Sequence, residues 1–110
     1  MKVSVIIRCR NEEEHIGLAI QSVIDHFKNP EIIIIDNQST DESMKVVSLF
    51  DRHDIRKYSL NGNYTPGKAL NFGVEKANND TILVLSAHAQ ITTLNIEMLN
   101  QWLREGHVAV

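Results

Sequence analysis

The sequence contains a single cysteine, Cys9. An internal disulfide is therefore excluded, and a reducing compartment, the cytoplasm by default, is the natural setting. Positive charge is not in excess: 11 Lys and Arg against 14 Asp and Glu leave a net charge of -3. That balance argues against a general nucleic-acid surface or a surface for anionic membranes. No apolar run approaches the ~20 residues that cross a bilayer, so no membrane span is expected. Met1 to Ile7 is too short and too β-branched to be the apolar region of a signal peptide. Repeats, low-complexity tracts and internal linkers are missing, and 110 residues make one domain with a modest core.

What is present is a series of short apolar runs, each stopping abruptly in polar residues. The most telling is Glu31-Ile32-Ile33-Ile34-Ile35-Asp36-Asn37. Four β-branched residues without alternation suit a strand buried on both faces, as in a parallel sheet covered by helices. Ser39 followed by Glu42 fits a capping box for the next helix. Before it, Lys2 to Ile7 reads as a strand. Asn11 is placed to cap a helix over residues 12–27, with Glu12, Glu13 and Glu14 in its first turn, where negative charge opposes the macrodipole. Met44, Val47 and Phe50 mark a shorter helix, and Ile55 to Leu60 a weaker strand. Residues 61–67 read as a loop. A third helix follows over 67–77, then a strand over 81–85, a helix over 95–105, and a strand beginning at Val108. The order β-α-β-α-β-α-β-α-β implies a three-layer α/β/α fold with a mostly parallel sheet, and a strand starting at the last three residues suggests a chain cut short. An unpaired edge there would invite homo-oligomers.

Ligands of open α/β sheets bind outside the carboxyl ends of the strands. Four polar clusters fall there or beside it: Arg8/Arg10, Asp36/Asn37, Lys68 and Ser86/His88. Two arginines, a lysine and helix N-termini suit a diphosphate. Asp36 and Asn37 suit a base or a ribose hydroxyl, and His88 a metal or a phosphate. Each has a plainer alternative. Asp36 can bond the Ser39 and Thr40 amides in a turn, Arg8 and Arg10 can pair with Glu12 to Glu14, and Lys68 can simply be exposed. A single histidine is more often structural than a metal ligand. Cys9 reads as a small buried residue.

The clusters together resemble family 2 glycosyltransferases, specifically the nucleotide-sugar-binding half of their GT-A fold. Val3 to Glu14 looks like the family's opening, usually VSVIIPTYNEE, and Ile32 to Ser43 like its IIVVDDGSTDGT segment. Gly67-Lys68-Ala69-Leu70-Asn71-Phe72-Gly73 resembles GKAxALNxG, and Thr81 to Ala89 falls where the family has a strand and its Asp-x-Asp metal motif. The resemblance implies transfer of a sugar from a nucleotide-diphosphate donor to an unknown acceptor, in cell-surface polysaccharide or glycolipid assembly. It implies nucleotide-sugar-binding roles for Arg8, Arg10, Glu12, Asp36, Asn37, Lys68 and Ser86, and a divalent cation, Mn²⁺ or Mg²⁺, at the His88 position. The alternative is a binding module without turnover of its own.

Three departures stand out. Arg10 occupies a position commonly aromatic, though an arginine can also stack on a base. Asn37 replaces the second Asp of the pair that reads uracil, and an amide both donates and accepts, so a donor other than a standard UDP-sugar is expected. Ser86-Ala87-His88 replaces Asp-x-Asp. Either His88 is a single ligand for a metal held mostly by phosphate, or the site works without metal and Arg8, Arg10 and Lys68 carry the charge. Residues 89–110 hold no motif that matches the family's catalytic base.

Overall fold

The computed structural model of the chain describes residues 2–60 and 65–90. The expected helix over 95–105, the strand beginning at Val108 and the sheet edge it would offer lie outside the described residues. The described part runs β1 (Val3–Cys9), α1 (Ile16–His26), β2 (Glu31–Asp36), α2 (Ser43–Ser48), β3 (Ile55–Ser59), α3 (Pro66–Lys76) and β4 (Thr81–Ser86). The strands form one parallel sheet in the order β3-β2-β1-β4. Every carboxyl end therefore lies along one edge.

Strand side chains alternate between faces, and the sequence uses both. Val3, Val5, Ile7, Ile32 and Ile34 pack with Ile16, Ile20 and Val23 of α1 and Val47 of α2. Ile6, Ile33 and Ile35 face the other way and pack with Ala69 and Phe72 of α3. All four consecutive isoleucines are 0% exposed, which is why the run shows no alternation. The fold is three-layer α/β/α, as expected from the sequence.

Helix α3 lies against β1 at Gly73, where an added Cβ would come within 2.7 Å of Ile6 Cδ1. Its direction follows from its ends. Beyond its carboxyl end, Asn78 bonds Glu31, the first residue of β2, at the amino edge of the sheet. Its first turn, Pro66 to Lys68, consequently faces the carboxyl edge.

The amino edge holds a polar knot that strand patterning does not announce. Glu31 is 3% exposed and accepts from Ser4 Oγ (2.7 Å), Asn78 N (2.8 Å) and Asn78 Nδ2 (2.6 Å), and pairs with the Arg56 guanidinium. Burial opposes its charge, yet the Asn78 amides, the Ser4 hydroxyl and Arg56 together hold its carboxyl below the usual value.

Two local expectations are corrected. Helix α1 begins at Ile16 and has no acidic residue in its first turn, because the chain at Glu12 and Glu13 is diverted to bond the β2–α2 loop. Asn11 accordingly does not cap it. The Ser39/Glu42 capping box does not form either: the Ser39 hydroxyl is occupied by Asp36 and Asn11, and α2 starts only at Ser43.

Candidate functional site

At the carboxyl edge the β1–α1 and β2–α2 loops are laced together. Asn11 takes a left-handed backbone (φ 51°), a region asparagine tolerates better than most residues. This lets its side-chain oxygen accept from Thr40 N at 2.7 Å and Asp41 N at 3.3 Å, while its own amide donates to Ser39 Oγ at 2.9 Å. Glu12 N donates to Ser43 Oγ (2.8 Å) and Glu13 N to Asp41 Oδ2 (3.1 Å). Burial works against Asp41's charge, but the Ser43 hydroxyl and amide and the Glu13 amide hold its carboxyl below the ordinary range. Asn37 N donates to the Cys9 carbonyl at 2.9 Å, continuing the strand pairing into the loops. Cys9 is 3% exposed and its thiol is pushed up by burial, with Asp36 nearby adding to the effect, so it is a small packed group, as the sequence suggested.

Asp36 is 5% exposed and spends its carboxylate on Ser39, accepting from the hydroxyl at 2.5 Å and from the amide at 3.2 Å. The turn alternative is thus realised for Ser39, while the Thr40 amide goes to Asn11 instead. Asn37 follows, half-buried, at the lip of the edge. Sequence reasoning missed Asn11 as the clamp. Its signal was there, since an asparagine between a strand and a run of glutamates suits a left-handed turn as well as it suits a cap.

The end of β4 meets the end of β1. Arg8 is in register with Ser86, and Ala87 N donates to the Arg8 carbonyl at 3.0 Å. His88 Nδ1 lies 3.3 Å from Ser86 Oγ and 3.8 Å from Glu12 Oε1, so Glu12, Ser86 and His88 come together. Arg10 and Lys68 are exposed at the same edge. The plainer alternative, a pairing of Arg8 and Arg10 with Glu12 to Glu14, is not realised among the described residues, where Lys45 pairs with Glu42 and Arg56 with Glu31, and His88 lies against Glu12. Arg8 is half-buried, and its Nε is buried without a hydrogen-bond partner among the described residues.

These side chains make a poor cage for a hard divalent cation. Mg²⁺ and Mn²⁺ favour carboxylate and water oxygens. The cluster offers one carboxylate, one imidazole and one hydroxyl, and among the described residues no three His, Cys, Asp or Glu converge. The donor set does not fit the metal that the resemblance implies.

A sequence profile of glycosyl transferase family 2 matches residues 4–110. The chain belongs to that family. This family 2 chain is 32% identical over 113 residues to a GalNAc(5)-diNAcBac-PP-undecaprenol beta-1,3-glucosyltransferase of Campylobacter jejuni, covering 99% of the chain and 37% of the relative. Its fold matches residues 1–349 of S. aureus TarS in complex with UDP at a TM-score of 0.79, with 24% identity over 96% of the chain and 32% of that TarS chain. It also matches a mannosyltransferase of Pyrobaculum calidifontis in complex with GDP-Man and Mn²⁺ at 0.72, with 19% identity over 80% of the chain and 28% of that protein. The family 2 chain thus spans about a third of the length of these relatives. Their fold is the GT-A arrangement expected from the sequence, and no helix among the described residues is long and apolar enough to cross a membrane.

Proposed function

We propose that this chain forms the donor-binding half of an enzyme that moves a sugar from a nucleotide-diphosphate donor to an acceptor hydroxyl. In the reaction the sugar's anomeric carbon–oxygen bond to the diphosphate breaks and its electrons stay on the phosphate oxygen. The acceptor oxygen forms the new bond and gives its proton to a base. The residues assigned to the donor are Asp36 and Asn37 for the nucleoside, Arg8, Arg10 and Lys68 for the diphosphate, and Glu12, Ser86 and His88 beside it. The observation that carries this reading is the convergence of three polar strand ends on the carboxyl edge of a parallel sheet, with the first two loops locked by Asn11. The Campylobacter relative's name, with its undecaprenol diphosphate, supports a lipid-linked acceptor and hence cell-surface glycan assembly. A cytoplasmic setting goes with this assignment.

Asn37 bears on the choice of base. Its amide can present a donor to the cytosine ring nitrogen or an acceptor to an N–H of uracil or thymine, so the donor extends beyond UDP-sugars. Calorimetric titration with UDP, CDP, dTDP and GDP tests both levels. Binding of any of them, weakened by Asn37→Ala, is expected. A clear preference for UDP would refute the extension, and no nucleotide binding at all would refute the donor site.

A further inference from the structure

Three features of the carboxyl edge are left unexplained by a donor site of ordinary composition. The donor set around His88 does not fit a hard cation, Arg8 stands half-buried without a carboxylate partner among the described residues, and its Nε is buried and unbonded. A buried N–H of a charged group left unpaired is costly, so the arrangement calls for an anion.

The strand geometry says where. Val3, Val5, Ile7 and Cys9 lie on the α1 face, which puts Arg8, like Ile6, on the α3 face. Gly73 of α3 lies over Ile6. Two residues further along β1 raise Arg8 by about 6.6 Å. Five residues back along α3 raise Lys68 by about 7.5 Å in the same direction. Arg8 and Lys68 therefore sit at the same level on the same face, and Arg8 is opposite Ser86 across the β1–β4 pairing. The available carboxylates are turned elsewhere: Asp36 is held by Ser39, and Glu12 lies beside His88.

Resting on the donor-site reading above, we propose that the Arg8 guanidinium takes the place of a divalent cation, so that the site binds a nucleoside diphosphate without metal. A guanidinium offers two parallel N–H groups to two phosphate oxygens, which a point charge cannot do. Its fixed positive charge, at the level of Lys68, also repels a second cation and favours a diphosphate that still carries its full charge. Arg8 is here a ligand-binding residue, and Lys68 adds charge at the same level.

The test is titration calorimetry with UDP, CDP, dTDP and GDP, first in EDTA and then with Mn²⁺, alongside UMP and CMP. The diphosphates that bind are expected to do so in EDTA, with Mn²⁺ changing affinity by less than about threefold. Losing a hydrogen-bonded charge in Arg8→Gln should weaken diphosphate binding about 10- to 100-fold and leave monophosphate binding nearly unchanged. Arg8→Lys should recover part of the loss. Diphosphate binding that requires Mn²⁺ would overturn the metal-free assignment while leaving the donor site standing, and this readout needs no variant to fold. Equal loss of mono- and diphosphate binding in a folded Arg8→Gln protein would overturn the role of Arg8. No nucleotide binding under any condition would overturn the donor site and this inference with it.

Discussion

The polar knot at Glu31 gives the sharpest prediction about stability. Replacing Glu31 by Gln keeps the volume and changes the hydrogen-bond arithmetic. The native carboxylate accepts on both oxygens, Ser4 and Asn78 N on one side, Arg56 and Asn78 Nδ2 on the other. A glutamine has one oxygen, and its amide nitrogen must then face donors. The less costly orientation leaves the oxygen toward Ser4, which is 0% exposed, and turns the nitrogen toward Arg56, whose side chain is 36% exposed and can reach water. Solvent screening reduces the Arg56 pair to about 0.2–1 kcal/mol. The lost charge-assisted bonds to the remaining donors bring the total to about 2–3 kcal/mol. Glu31→Ala also strands the Ser4 hydroxyl in the interior, for about 3–5 kcal/mol. Urea unfolding followed by far-UV circular dichroism should show a lower midpoint at an unchanged slope. The pH dependence has a definite sign. A carboxyl held low in the folded chain contributes its stability above its unfolded value of 4.5 and loses it as pH falls through the lower folded value. The gap between wild type and Glu31→Gln should therefore narrow in acid. An unchanged midpoint for Glu31→Gln at neutral pH, or a gap of constant size down to about pH 3, would refute the reasoning.

Gly73→Ala places a methyl 2.7 Å from Ile6 Cδ1 and 2.8 Å from its Cγ2, and should cost about 1–3 kcal/mol despite the better helix propensity of alanine. The double variant with Ile6→Val should cost less than the sum of the singles; strict additivity in thermal melts would count against the close contact. Asn11→Ala removes both the left-handed tolerance and the acceptor for the Thr40 and Asp41 amides, and should cost about 1–2 kcal/mol. Hydrogen exchange at those two amides should speed up, and in Asn11→Asp it should speed up less. The Cys9 thiol should react with a disulfide reagent far more slowly than a free thiol until the chain is unfolded, since burial both shields it and disfavours the thiolate; prompt reaction in the folded protein would contradict its packing.

The strands and the layering were legible because the isoleucines of β2 alternate between two covered faces, Ile32 and Ile34 on one and Ile33 and Ile35 on the other, and a run without polar alternation says so directly. The polar residues at the carboxyl ends of the strands were legible for the same reason, since each apolar run stops abruptly where they begin. Local helix signals misled where a distant loop competed for the same groups. Glu12 to Glu14 look like a first helical turn, but the amides of Glu12 and Glu13 go to Ser43 and Asp41, some thirty residues away. Ser39 looks like a cap, but its hydroxyl answers to Asp36 and Asn11. Glu31 carried no signal at all. A charged residue before an apolar run reads as a strand boundary, and its burial depends on Asn78, 47 positions on, and on Arg56 from the next strand.

Strand β2 carries its two important carboxylates at opposite tips, Glu31 at one and Asp36 at the other, about 16 Å apart along an extended strand. Between them lie only isoleucines with no polar atoms on their side chains. One tip fastens the sheet to the chain that follows α3, and the other shapes the loop that would meet a nucleotide. Substitutions at such separation combine nearly independently. The molecule is therefore divided lengthwise into a keel and a deck. Residues on the deck, half-buried Asn37 and exposed Arg10 among them, can be exchanged by selection or by an engineer while the keel keeps the hull afloat.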